Sequence, residues 1–161
     1  MPRTVASPKR TETVPRSVRL ELTDAPDPAS AEPCVDWIEE TVRRVARAGG
    51  LTADDAHFLG IAVREALQNA LRHGRGRDGR CHVVVRLRNA FDRLLLVTVR
   101  DQGPGFNLTG VADPCLPENV PKGTGRGIFY MRRFADRVRF AFPPEGGVVV
   151  HLAKRLPGRR P

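Results

Sequence analysis

The run from Asp54 to Gly74 constrains this chain more than any other feature. It contains no proline, and Gly60 is its one interior glycine. Leu59, Ala62, Val63, Ala66, Leu67 and Ala70 recur at the three- and four-residue steps of an amphipathic helix. Thr52, with Asp55 three residues on, supplies an N-terminal cap, and Gly74 a C-terminal stop. Glu65 and Asn69 are one turn apart, so both project from one face, beside the apolar stripe rather than opposite it. His73 continues that row. A carboxylate and a carboxamide so spaced could hold a divalent ion and a water. Taken alone, they suit a solvated helix face equally well.

Two further stretches bear on chemistry. Asp101-Gln102-Gly103-Pro104-Gly105-Phe106 follows a strongly patterned strand, Leu94 to Arg100. Period two places Asp101 on the face of Leu95, Val97 and Val99, where a carboxylate needs a partner because burying one unpaired is costly. It could accept from an exocyclic amine, or simply end the strand as a turn carboxylate. Gly103 and Gly105 lack a Cβ and let backbone pass close to a flat ligand, though a plain strand-to-loop turn also uses glycine. The third stretch, Gly123-Thr124-Gly125-Arg126-Gly127, runs into a helix expected over Ile128 to Asp136. Glycines before a helix start expose N–H groups where the dipole favours anions, and Lys122 and Arg126 add charge suited to phosphate. No GxxxxGK[ST] loop occurs, and the glycine spacing is not that of a dinucleotide fold. A flexible hinge would look similar.

The rest of the chain alternates between strands and helices. Residues 1–16 carry three prolines and scattered basic residues without periodicity and read as a disordered basic tail. Ser17 to Leu22 alternates as a strand, and Asp24 to Pro33 is a connector. Cys34 to Ala48 is a helix ended by Gly49-Gly50. Cys81 to Arg88 is a strand joined to Leu94–Arg100 through a hairpin at Asn89 to Arg93. Asn107 to Lys122 is a long loop. Arg137 to Phe142 and Gly147 to Leu152 form a last hairpin across Pro143-Pro144-Glu145-Gly146. This order predicts an α+β fold: a two-layer α/β sandwich, with helices on one face of a mixed, mostly antiparallel sheet. The domain is expected over residues 17–155, with 156–161 a flexible tail.

Composition narrows the setting. The 161 residues suit one domain; 40% are hydrophobic and 28% charged, as in a soluble globular protein. No apolar run reaches the roughly 18 residues of a membrane span, and the N-terminus lacks the apolar core of a secretory signal. Cys34, Cys81 and Cys115 have no CxxC spacing and read as thiols of a reducing compartment, so a cytoplasmic location is expected. The net charge of +9 invites a nucleic-acid reading, but much of it lies in the tails. One Trp and one Tyr do not build base-stacking platforms. An acidic protein partner accounts for the charge at least as well.

In combination the three stretches are far more specific. A helix with Glu-x-x-x-Asn, a strand running into Asp-x-Gly-x-Gly, a loop, and Gly-x-Gly-x-Gly before a helix resemble the N, G1 and G2 boxes of the GHKL superfamily. The finer text, RExxxNALRHG, VRDQGPGF, DPxxPEN and GRGIFYMRRFAD, resembles the anti-sigma factor serine-protein kinases of the histidine-kinase-like ATPase family. The likeness spans about residues 17–155 and implies the Bergerat ATP-binding fold, with ATP and Mg²⁺ as cofactors. It implies Asn69 as the Mg²⁺ ligand, Glu65 as general base, and Asp101 as acceptor for adenine N6 with Gly103 and Gly105 lining the pocket. Lys122, Gly123, Thr124, Gly125, Arg126 and Gly127 would bind phosphates, His73 would lie near the nucleotide, and residues 107–123 would form a lid. The implied activity is phosphorylation of a serine on a small anti-sigma factor antagonist. The kinase would also bind a sigma factor and could act as a homodimer. The alternative is an ATP-binding anti-sigma or adaptor module without phosphotransfer. A histidine kinase would need an upstream helical pair, and a gyrase- or MutL-type ATPase a transducer domain, neither of which is visible here.

Overall fold

The computed structural model describes residues 17–23, 29–77, 82–90, 93–110 and 126–157. Strands β1 (Ser17–Thr23), β2 (His82–Ala90), β3 (Leu94–Arg100), β4 (Arg137–Ala141) and β5 (Val149–Arg155) form one sheet in the order β1-β2-β3-β5-β4. All four pairings are antiparallel, the limiting case of the mostly antiparallel sheet expected. Helices α1 (Glu32–Ala48), α2 (Ala53–His73) and α3 (Arg126–Phe134) supply the second layer.

The core lies between the layers. Leu95, Val97 and Val99 of β3 are buried with Val150 and Leu152 of β5 and Val83 of β2. From α2, Leu59, Val63, Leu67 and Leu71 are fully buried against them, each contributing about 1.5–3 kcal/mol of apolar transfer. The stripe spaced at three and four in the sequence is therefore the stripe that faces the sheet.

Local signals set where α1 and α2 stop and start. Gly50, at φ 96°, takes the left-handed position after α1. Its N–H donates to the Arg47 carbonyl and that of Leu51 to the Ala46 carbonyl, a Schellman pairing. Two residues on, the Thr52 hydroxyl accepts from the Asp55 N–H at 3.1 Å and opens α2. Arg64 then ties α2 to α1 by donating to Glu32, Asp36 and Glu39. Because Glu39 is buried, that clasp offsets the cost of desolvating its carboxylate.

Several boundaries move from their expected places: α1 starts at Glu32 rather than Cys34, β2 runs on to Ala90, and β5 spans Val149–Arg155 rather than Gly147–Leu152. α3 begins at Arg126, not Ile128, so Arg126 and Gly127 belong to its first turn. It ends at Phe134 because Asp136 turns outward to accept from the Arg155 N–H at 2.7 Å and the Lys154 ammonium at 3.0 Å. Packing also continues past residue 155, where a flexible tail is expected. Leu156 is buried against Gly49, its N–H donates to the Arg93 carbonyl, and Arg93 in turn donates to the Pro157 carbonyl. The packed unit thus runs at least through Pro157. Residues 1–16 and 158–161, expected as tails, lie outside the described residues, as does Cys81 at the expected start of β2. Among the described residues no helix is long and apolar enough to cross a membrane.

Candidate functional site

α2 runs past the end of β3, and a cavity of about 450 Å³ opens where they meet α3 and the β4–β5 hairpin. Its walls come from every element singled out in the sequence. α2 gives Ala66, Asn69, Ala70 and His73; the segment after β3 gives Asp101, Pro104, Gly105 and Phe106; α3 gives Gly127, Ile128 and Met131. The remaining wall is apolar, from Val99, Phe140, Val148 and Val150. A mostly apolar cleft with a few convergent polar groups is the common form of a small-molecule site.

Asp101 is the most tightly built of those polar groups. It is 7% exposed, and its Oδ1 accepts from the Gly103 N–H at 2.9 Å and the Val148 N–H at 3.0 Å. Both bonds fall on Oδ1, which leaves Oδ2 for a ligand's donor. Burial pushes the carboxyl above the ordinary aspartate range, opposed by those two N–H groups and by the charge of His73. The main chain around it is locked: the Asp101 N–H donates to the Val148 carbonyl, the Gln102 N–H to the Gly74 carbonyl and the Gly147 N–H to the Gly103 carbonyl.

Three chain segments can crowd this closely only because the residues there are glycines. A Cβ on Gly74 would lie 2.4 Å from the Asp101 Cβ, and one on Gly103 would lie 2.4 Å from the His73 carbonyl oxygen. At Gly147, φ is 90° and a Cβ would lie 2.1 Å from the Asp101 carbonyl oxygen. Gly105, at φ 78°, turns the chain toward Phe142.

The opposite end of the cavity is looser. Glu65 and Asn69 are half-buried on α2, one turn apart and directly under the first turn of α3. A Cβ on Gly127 would approach Glu65 Oε2 to 2.8 Å and Asn69 Nδ2 to 3.1 Å, so this glycine lets α3 rest on the pair. Unbonded N–H groups and the helix dipole make such an end favourable for anions. Exposed His73 lines the cavity at the C-terminal end of α2.

The structure therefore brings together Glu65, Asn69, His73, Asp101, Gly103, Gly105 and Gly127, with Arg126 in the same first turn of α3. Lys122, Gly123, Thr124 and Gly125 lie outside the described residues, as does the expected lid beyond residue 110. The described start of that segment is ordered by Asn107, whose Oδ1 accepts from the N–H and hydroxyl of Thr109 at 3.0 and 2.6 Å. Sequence reasoning missed the part of Val148 and Gly147. Their signal was the Gly146-Gly147 pair, read only as a hairpin end.

Comparison with known proteins agrees with this geometry. The family described as histidine kinase-like ATPase domain matches residues 25–154. The serine-protein kinase RsbW of Bacillus subtilis is 32% identical over 132 residues, 78% of this chain and 81% of that protein. RsbW of Bacillus licheniformis is 34% identical over 130 residues, covering 76% and 78%. An anti-sigma F factor of Bacillus licheniformis is 30% identical over 107 residues, covering 65% and 73%. In three dimensions the chain matches the crystal structure of the RsbU and RsbW domains of a Mycobacterium tuberculosis protein. That match has a TM-score of 0.57 and 20% identity, over 88% of this chain and 34% of the other, and shows the shared fold. The chain belongs to the histidine kinase-like ATPase family, among its RsbW-like anti-sigma kinases.

Proposed function

We propose that this protein is a cytoplasmic, Mg²⁺- and ATP-dependent serine-protein kinase that phosphorylates an anti-sigma factor antagonist and, in the alternative state of a partner switch, holds a sigma factor. The observation that carries the reading is the convergence on one cavity of Asp101, Asn69 and Gly127 in the first turn of α3, with Glu65 against that same glycine.

The residues present fit the two cofactors. Asp101 Oδ2 suits the exocyclic amine of adenine, and Val99, Met131 and Val150 suit the faces of a flat ring. Asn69 offers one oxygen to a hard cation that keeps most of its waters and phosphate ligands. When bound, ATP supplies the γ-phosphoryl group and Mg²⁺ offsets its charge. The chain's own residues do the rest. Arg126 and the first turn of α3 hold phosphate oxygens. Glu65 accepts the proton of the serine hydroxyl as its oxygen forms the bond to phosphorus and ADP leaves. The new phosphoserine carries about −2 charge, which disfavours its stay beside a carboxylate and drives release.

The test is incubation of the full chain with Mg-ATP and a candidate antagonist, assayed for phosphoserine by mass spectrometry. Transfer is expected from the native protein and not from Glu65→Gln. Retained ATP binding with no transfer by the native protein would instead favour an ATP-binding anti-sigma module.

A further inference from the structure

The three described helices cover one face of the sheet, and the other face has a pattern of its own. Its positions are the odd residues of β1, β4 and β5 and the even residues of β2 and β3, as the register requires. One row across the sheet reads Ser17, Arg88, Leu96, Ala153, Arg137; the next passes through Arg19, Thr98, His151 and Arg139. Arg19, Arg88, Arg100, Arg137, Arg139 and Arg155 are all exposed at such positions, against one acid within the strands, Glu21. Glu21 pairs with Arg19, and Glu145 from the hairpin turn pairs with Arg100 at 2.8 Å. Among the described residues, Arg88, Arg137 and Arg139 have no acidic partner. Leu94, Leu96 and Ala153, half-buried, make an apolar strip down the middle.

We infer that this face, which carries none of the described helices, is a docking surface for an acidic amphipathic helix of a partner protein. Arg88 on β2 and Arg137 on β4 are separated by three strand spacings, roughly 14 Å. A helix with its side chains is about 10–12 Å across. Laid along Leu94 and Leu96, it buries an apolar stripe on the strip and brings flanking carboxylates to the arginines on either side. Such charge matching steers association and fixes register.

Other occupants match less well. A second copy of this face, or the basic segment before Ser17, meets like charge. Nucleic acid finds phosphate contacts but no Phe, Tyr or Trp side chain for stacking at the outward positions described. The face is separate from the nucleotide cavity, so the inference does not depend on phosphotransfer.

The test uses the full chain and a 21-residue helical peptide with a leucine stripe flanked by glutamates. A scrambled peptide of the same composition and a 20-base-pair DNA duplex serve as comparisons. Amide shift mapping is expected to place the designed peptide over β2, β3, β5 and β4. Arg88→Glu/Arg137→Glu/Arg139→Glu is expected to weaken binding at least tenfold. Arg132→Glu/Arg133→Glu on α3, also negative-going, is expected to weaken it less than twofold. If the triple reversal does not fold, Arg88→Gln/Arg137→Gln/Arg139→Gln is measured instead, with a loss of at least threefold expected. Four results overturn the inference: no binding of the designed peptide, equal binding of the scrambled one, equal loss in the α3 control, or tighter binding of the duplex at this face.

Discussion

The two ends of the cavity are built on different principles. At Asp101 the chain is fixed by backbone: two N–H groups on one carboxylate oxygen, three further main-chain bonds, and glycines where any Cβ would collide. At Glu65 and Asn69 two side chains of one helix meet the first turn of another, and Gly127 sets the gap between them. The first end is preorganised before any ligand arrives. The second depends on how α3 sits on α2, so the proposed function would leave recognition of a base to rigid structure and handling of phosphate to an adjustable junction.

The largest expected effect tests the adjustable end. Glu65→Gln keeps shape and removes the proposed proton acceptor, so phosphotransfer is expected to fall by about 10²–10⁴-fold. ATP affinity measured by calorimetry is expected to change less than about threefold, since a general base acts in the transition state rather than in binding. A comparable loss of affinity would show that Glu65 belongs to the binding apparatus, and the two ends would then not be distinct.

Next comes the rigid end. Gly147→Ala places a Cβ about 2.1 Å from the Asp101 carbonyl oxygen at φ 90°, so neither the backbone nor its neighbour can accommodate it. A stability loss of about 3 kcal/mol is expected from overpacking and strain, measured by urea unfolding. Gly146→Ala, at φ 97° with open space around it, isolates the conformational part and is expected to cost about 1 kcal/mol. Equal losses would mean that close approach to Asp101 contributes nothing.

Asp101→Asn separates recognition from construction. The asparagine Oδ1 still accepts from Gly103 and Val148, so stability is expected to change by about 1 kcal/mol or less. In place of Oδ2 stands an NH₂ donor, which faces the adenine amine donor to donor. ATP affinity is expected to drop about a hundredfold, the scale of an unmatched buried polar group. A small loss of affinity with a large loss of stability would make Asp101 a structural carboxylate and nothing more.

These two ends also differed in how far the sequence disclosed them. The period of β3 placed Asp101 on the core face, and the steps of α2 placed Glu65 and Asn69 beside its buried stripe, because both inferences follow from the geometry of a single element. Nothing local placed Val148 over Asp101 or Gly127 over Glu65. Those contacts depend on how the β4–β5 hairpin folds back along β3 and how α3 lies across α2, and each joins residues more than 40 apart in sequence. The same reason explains the start of α3. Gly127 reads as loop by propensity, and packing on α2 draws it into the helix. The basic face opposite the described helices is not legible locally either, since its arginines come from separate strands and only the register assembles them.

The smallest expected effect is in pH dependence, and it tests the two roles of Asp101 against each other. Its carboxyl lies above the ordinary aspartate range because burial outweighs the N–H groups of Gly103 and Val148 and the His73 charge. A raised value in the folded state means that the folded protein binds this proton more tightly than the unfolded chain does. The resulting stability is fully present below the ordinary aspartate value and is lost as pH rises through the raised one. Asp136 has the opposite sign. Burial raises it, but the Arg155 N–H and the Lys154 ammonium outweigh that and hold it low, so its contribution is present above the ordinary value and lost as pH falls through the depressed one. Subtracting Asp101→Asn from the native protein cancels Asp136 and isolates Asp101. Thermal melts without nucleotide are then expected to show a difference that falls as pH rises through the Asp101 titration. Nucleotide affinity moves the other way over the same interval, because only the ionised carboxylate leaves both oxygens as acceptors. One titration thus carries opposite signs for folding and for binding. If affinity and stability fall together, the cavity does not use Asp101 as an acceptor, and the division between a rigid end that reads the base and a junction that handles phosphate fails.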